Sequence, residues 1–170
     1  MAFKLEENEY ITIFVRRHWF NPVTQTLMFL FSLLAPIFIT SLAYAFPNYN
    51  EYFGNLGLLS LIFLTAWIFI VWTAIFIVWT NHFLDVLVVT NLHIIDIEQV
   101  GLWNRKISTL QIKNVQDISS KVVGLIPSIL KYGDLKIQTA GSINNFIIHN
   151  IQRPDLIRQK INAQITSQAN

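Results

Sequence analysis

Two stretches of the chain carry no charge. Thr24 to Phe46 reads TQTLMFLFSLLAPIFITSLAYAF, 23 residues, and Gly57 to Thr80 reads GLLSLIFLTAWIFIVWTAIFIVWT, 24 residues. Apolar positions fill every side of the helix each would form, so neither shows the single stripe of a surface helix. At about 1.5 Å per residue each is long enough to cross a hydrocarbon core of roughly 30 Å. The alternative is a pair of helices buried inside a soluble protein, but the rest of the chain is too short to surround them. The pattern therefore predicts a transmembrane hairpin over residues 23–80, with spans at 24–46 and 57–80. Pro36 lies inside the first span and predicts a kink, because it removes one backbone donor. The connection 47–56, PNYNEYFGNL, is short and turn-rich. Tyr44, Tyr49, Tyr52 and Phe53 around it suit the headgroup level.

After the second span the period changes from helical to alternating. FLDVLVVT (83–90), HIIDIEQ (93–99), RKISTLQI (105–112), VQDISSKV (115–122), Asp134–Ala140 and NFIIHN (145–150) read as six short strands separated by turn residues. In HIIDIEQ, Ile94, Asp96 and Glu98 fall on one face and Ile95, Ile97 and Gln99 on the other. In the fifth strand Leu135, Ile137 and Thr139 share a face, with Lys136 and Gln138 opposite. GLIPSILK (124–131) lacks alternation and contains Pro127, which predicts a loop with a helical turn. Residues 154–166 predict a helix: Pro154 suits the first position, Asp155 the positive end of the dipole, and Ile157, Ile161 and Ile165 make one stripe. That helix is expected to cap an open end of the sheet core. The fold class expected is a membrane protein of α+β type, with a small antiparallel barrel or sandwich over 81–170.

The N-terminal segment 1–22 contains one further β-branched and aromatic stretch, Glu9–Val15 (EYITIFV). It can be read as an additional strand of the 81–170 domain, with the hairpin inserted between the first strand and the second. It can also be read as an interfacial segment, because Arg16-Arg17-His18-Trp19-Phe20 is basic and aromatic.

Composition agrees with a membrane protein: the chain is 53% hydrophobic and 13% charged. Arg16 and Arg17 precede the first span and the hairpin loop has neither Lys nor Arg. This places both termini in the cytoplasm of a multi-pass cell-membrane protein. Ala43-Tyr44-Ala45 resembles a cleavage box, but the apolar run before it is too long for a signal peptide and the leader holds three glutamates. Residues 81–170 hold nine Lys/Arg against six Asp/Glu. That excess suits a position near anionic headgroups and falls short of a nucleic-acid footprint.

Motifs for chemistry are sparse. Cysteine is absent, and His18, His82, His93 and His149 have no metal-ligand spacing, so no metal and no cofactor is expected. Ser142 follows Gly141 in an apparent hairpin loop without the context of a nucleophile, and no phosphate-loop motif occurs. Asp96 and Glu98 share a strand face and are expected to be solvated there. The spans hold no acid of the kind that marks an ion path. A catalytic site is therefore not expected. Trp67, Trp72 and Trp79 read as lipid-facing or packing residues. The candidate contacts with a membrane surface or partner are Arg16, Arg17, Trp19, Trp103, Arg105, Lys106, Lys121 and Lys131. Lys113 is a further basic loop residue, and Leu102 accompanies Trp103 at a turn. Ordinary solubilising charge is the preferred reading of the basic loops, and contact with anionic headgroups is the other.

LEENEYITIFVRRHW (5–19), VVTNLHIIDIEQVGLWNRKISTL (88–110), VQDIS (115–119), YGDLKIQTAG (132–141) and IQRPDLIRQKI (151–161) together resemble the bacterial pleckstrin-homology-like (PH-like) domain family of small membrane proteins. The resemblance implies a PH-like barrel held against the inner face of a membrane, and it implies no reaction. The expected function is a non-enzymatic binding or scaffold module for a protein or lipid partner at the cytoplasmic membrane face. The alternative is an accessory subunit of a membrane transport or export complex.

Overall fold

The computed structural model describes residues 8–45, 56–139 and 146–169. The expected connection 47–55, with Tyr49, Tyr52 and Phe53, lies outside them, as does the turn at Gly141 and Ser142. The described chain is α+β and divides into two compact units. One is Phe20–Thr80, and the other joins the segments on either side of it.

The first unit holds helices α1 (Phe20–Ser32) and α2 (Leu34–Tyr44) and most of α3 (Leu56–Leu84). Phe20–Tyr44 and Gly57–Leu84 are both long and apolar enough to cross a membrane, with mean hydropathies of 2.1 and 2.6. Only 6% of the most apolar stretch of each is buried.

The first span differs from the single kinked helix expected. Its helix breaks at Leu33 and restarts, with Pro36 in the first turn of α2, where a missing N–H is tolerated. A proline excludes the carbonyl four residues earlier from the helical ladder. That carbonyl, on Ser32, accepts a hydrogen bond from the Trp67 indole N–H at 3.2 Å. The Trp79 indole donates to Thr26 Oγ1 at 3.0 Å. Trp67 and Trp79 thus join the helices of this unit through polar groups. Trp72 is 72% exposed.

The second unit is a pair of antiparallel sheets with a helix. Its elements are β1 (Ile11–Arg16), β2 (Val86–Thr90), β3 (His93–Val100), β4 (Asn104–Gln111), β5 (Val115–Lys121), α4 (Leu125–Leu130), β6 (Tyr132–Thr139), β7 (Phe146–Gln152) and α5 (Pro154–Ala169). The order is β1-β2-β3-β4 in one sheet and β5-β6-β7 in the other. The segment read either as a strand or as an interfacial stretch is the outer strand β1, paired with β2 from Ile11↔Thr90 to Arg16↔Val86. Phe83 and Leu84, expected in a strand, instead end α3, and β2 starts at Val86. A bridge between Arg17 and Ile151 joins β1 to β7 at one corner.

The core lies between the sheets. Ile13, Leu87, Val89 and Ile94 come from the first, Ile118, Leu135, Ile137, Ile148 and Ile151 from the second, and Ile157 and Ile161 from α5. The stripe Ile157, Ile161 and Ile165 packs against this core, as its spacing predicts. Leu135 and Ile137 are fully buried, matching the face expected for β6. Gly133 has a steric role there. A Cβ at this position would lie 2.5 Å from the Lys121 carbonyl oxygen and 2.9 Å from Val122 Cγ2.

Candidate functional site

Asp96 is buried, and this corrects the sequence expectation of a solvated pair; Glu98 beside it is partly exposed. They sit on the core-facing parity of β3, the same side as Ile94. Arg17 continues the parity of Ile13 and Val15 beyond the end of β1 and reaches both. Its guanidinium lies 3.3 Å from Glu98 and 3.8 Å from Asp96, and its Nε lies 3.4 Å from Asp85. The Arg17 side chain is 16% exposed and those of Asp85 and Asp96 are each 11% exposed. Asp85 Oδ1 also accepts the Gln99 backbone N–H at 2.6 Å. Burial pushes the Asp85 and Asp96 carboxyls above the ordinary carboxylate range, against the pull of Arg17 on both and of the Gln99 N–H on Asp85. The cluster joins the end of β1 to the start of β2, the two points where the chain leaves for the hairpin and returns. Arg17 is therefore a structural ion, not a surface contact.

Sequence reasoning missed Asp85 as a member. The available signal was parity: an acid on the same strand face as buried isoleucines needs a cation, and Arg17 stands on the matching face of β1.

His18 is also buried. It stacks on Tyr132 with ring centroids 4.7 Å apart and lies 5.3 Å from Trp19. Its backbone N–H donates to the Asn150 carbonyl at 2.6 Å. Burial lowers its pKa, and repulsion from His82 adds to this. At the opposite end of β1, Glu9 pairs with His93 Nδ1 at 2.9 Å and accepts a hydrogen bond from the Thr90 hydroxyl. The Gln164 side chain of α5 donates to the Thr90 carbonyl at 2.6 Å. His149 is 57% exposed and pairs with Asp134. Among the described residues, no group of three or more His, Asp or Glu has an arrangement that could hold a metal ion.

The remaining predicted contacts are exposed: Arg16, Trp19, Trp103, Arg105, Lys106, Lys121 and Lys131. Trp103 is 95% exposed in the β3–β4 turn, with Val100 at 51% and Leu102 at 45%. Register carries that turn past Asp85, since Ile97 pairs with Val86 and three further residues of β3 follow. Arg105 and Lys106 begin β4 beside it. Lys121 and Lys131 bracket the β5–β6 connection, which contains α4. Lys113 lies apart, in the short 3-10 turn after β4, next to the β2–β3 connection through the Ile112 N–H and the Leu92 carbonyl. The basic loop residues therefore do not form one group.

An open groove of about 510 Å³ runs between β1 and the start of α5. Phe14, Val15 and Arg16 line one side, and Arg153, Leu156 and Lys160 line the other. β1 is the outer strand of its sheet, and among the described residues no strand pairs with its other edge along Thr12–Arg16, although β7 meets it at the Arg17–Ile151 bridge. The groove combines an unpaired strand edge, apolar contacts and three exposed cations, Arg16, Arg153 and Lys160, with the partly buried Arg17 also in its lining.

Neither a protein-family description nor a curated protein matches the chain. Among solved structures, the chain is similar to a DUF1696 family protein with a pleckstrin-homology domain from Shewanella loihica PV-4, a 2.00 Å crystal structure. The TM-score is 0.37 and the identity 18%, over 49% of this chain and 68% of that one.

Proposed function

We propose that this chain is an integral membrane protein whose β unit is a PH-like domain at the cytoplasmic face, acting as a non-enzymatic binding or scaffold module. Two stretches of helix without Asp, Glu, Lys or Arg, each long enough to span a bilayer and both inserted between β1 and β2, support the membrane reading. Seven described strands in a four-plus-three order, followed by a helix packed on the core, support the PH-like one. Arg16 before the first span favours the cytoplasmic orientation of both termini.

One observation carries the binding role: the outer edge of β1 stands open beside a groove with Arg16, Arg153 and Lys160. An extended acidic segment of a partner protein would add to β1 through main-chain hydrogen bonds, with its carboxylates meeting the three cations. Arg153 and Lys160 are exposed and lie outside the core cluster, so reversing their side-chain charges leaves the core packing in place.

The test is quantitative co-purification of the full chain from membranes in mild detergent. A stoichiometric partner retained by the wild type and lost by Arg153→Glu/Lys160→Glu supports the groove. A partner retained by that variant, but lost when the hairpin is replaced by an unrelated one, favours the accessory subunit of a transport or export complex.

A further inference from the structure

α4 and the β3–β4 turn expose more apolar surface than the interior of the domain can explain. α4, LIPSIL, has no buried residue. Leu125 is 77% exposed, Ile129 67%, Ile126 50%, and Val123 just before it 66%. A six-residue helix with no buried residue gains little from the core, and a cluster of large apolar side chains on a domain surface marks an interaction site. Trp103 is the most exposed large apolar residue described.

Both features lie beside the points where the chain passes to and from the hairpin. Tyr132 directly follows α4 and Lys131, and its ring stacks on His18, two residues before the first span begins. The β3–β4 turn lies beyond Gln99, whose N–H is bonded to Asp85, the residue that follows α3. Basic residues flank each apolar group: Lys121 and Lys131 around α4, Arg105 and Lys106 after Trp103. Apolar and tryptophan side chains edged by Lys and Arg match the interfacial layer of a bilayer with anionic headgroups.

We propose that α4 and the β3–β4 turn are seated in the headgroup layer of the same bilayer that holds the hairpin. The inference depends on the membrane reading above and adds two contact points to it. Its occupant is the lipid surface, because the spans already tether this part of the domain to lipid and the flanking charges complement anionic headgroups.

The chain has no cysteine, so single labels can be placed directly. Full-length Trp103→Cys, Ile129→Cys, Ile70→Cys and Asn114→Cys, each carrying an environment-sensitive nitrobenzoxadiazole dye, are reconstituted in phosphatidylcholine–phosphatidylglycerol vesicles with and without doxyl-labelled lipid. The replaced residues at 103, 129 and 114 are exposed, and circular dichroism checks that each variant folds. The expected result is blue-shifted emission at 103 and 129 that shallow doxyl lipid quenches, with neither effect at 114. Quenching of 70 by deep doxyl lipid reports the hairpin separately. If 70 is quenched while 103 and 129 emit as in water, the inference is overturned and the membrane reading stands. If 70 is not quenched, both fail. Blue-shifted emission at 103 and 129 that doxyl lipid leaves intact and that persists in detergent would mean that protein covers the patch, as in a second copy, and would overturn the lipid assignment.

Discussion

Replacing Arg17 with methionine tests whether the ion cluster at the hairpin's root holds the β unit together. Methionine keeps much of the side-chain volume and removes the charge. Asp85 and Asp96, each 11% exposed, and Glu98, 34% exposed, then face one another without their cation. Breaking a buried pair by removing one partner costs about 3–5 kcal/mol. The contacts here, at 3.3–3.8 Å, are longer than the roughly 2.8 Å of the best charge-assisted bonds. The expected loss is therefore about 3 kcal/mol, near the lower end of that range. At about 1.4 kcal/mol per decade this corresponds to roughly hundredfold faster hydrogen exchange at amides of β2 and β3 that exchange by opening of the whole unit.

The effect should also depend on pH. Burial raises the Asp85 and Asp96 pKa values. The native state therefore keeps protons that the unfolded chain releases, and stability falls as pH rises from the unfolded value through the folded one. Removing Arg17 raises both values further. The deficit of the variant is then small in acid, where these carboxyls are protonated in both states, and largest at neutral pH. Exchange less than about tenfold faster than wild type at neutral pH, or a deficit that does not change on acidification, would refute the cluster's role.

Two further substitutions probe the core. Gly133→Ala sets a Cβ against the Lys121 carbonyl, 2.5 Å away, and is expected to cost about 1–3 kcal/mol as β5 and β6 move apart, read as a lower denaturant midpoint. A midpoint equal to wild type would mean that β5 yields freely there. Ile161→Ala empties a fully buried position where α5 meets both sheets. A loss of about 2–5 kcal/mol is expected in the same measurement, and a loss confined to α5 exchange would show that the helix is not integral to the core.

Much of the architecture was legible because it depends on period and length. Uncharged runs of span length, alternation after residue 83, and isoleucines at 157, 161 and 165 each encode their element locally. The break at Leu33 was only half legible: Pro36 announced it, but the Trp67 indole that takes the Ser32 carbonyl comes from the other helix of the hairpin. The fate of Asp96 and Glu98 was hidden for the same reason. Their cation is far away in sequence, with Arg17 and Glu98 separated by 81 positions. The candidate contact residues were chosen by type, and the structure separates them by environment. Arg17 turns inward, Lys113 lies apart, and the exposed apolar residues of α4, where the sequence predicts a loop with a helical turn, stand between Lys121 and Lys131.

By itself the sequence determined that two helices are apolar enough for a membrane, that strands and a striped helix follow, and that cysteine chemistry is absent. These properties reside in composition and in periods of a few residues, which act wherever the chain goes. Only the tertiary structure decided that β1 pairs with β2 although the hairpin separates them in sequence, that Arg17 neutralises three acids that follow the hairpin in sequence, and that among the described residues one strand edge and two apolar segments are exposed. Those outcomes depend on which distant segments share the core. A side chain's exposure and charge state follow from the neighbours that packing brings to it.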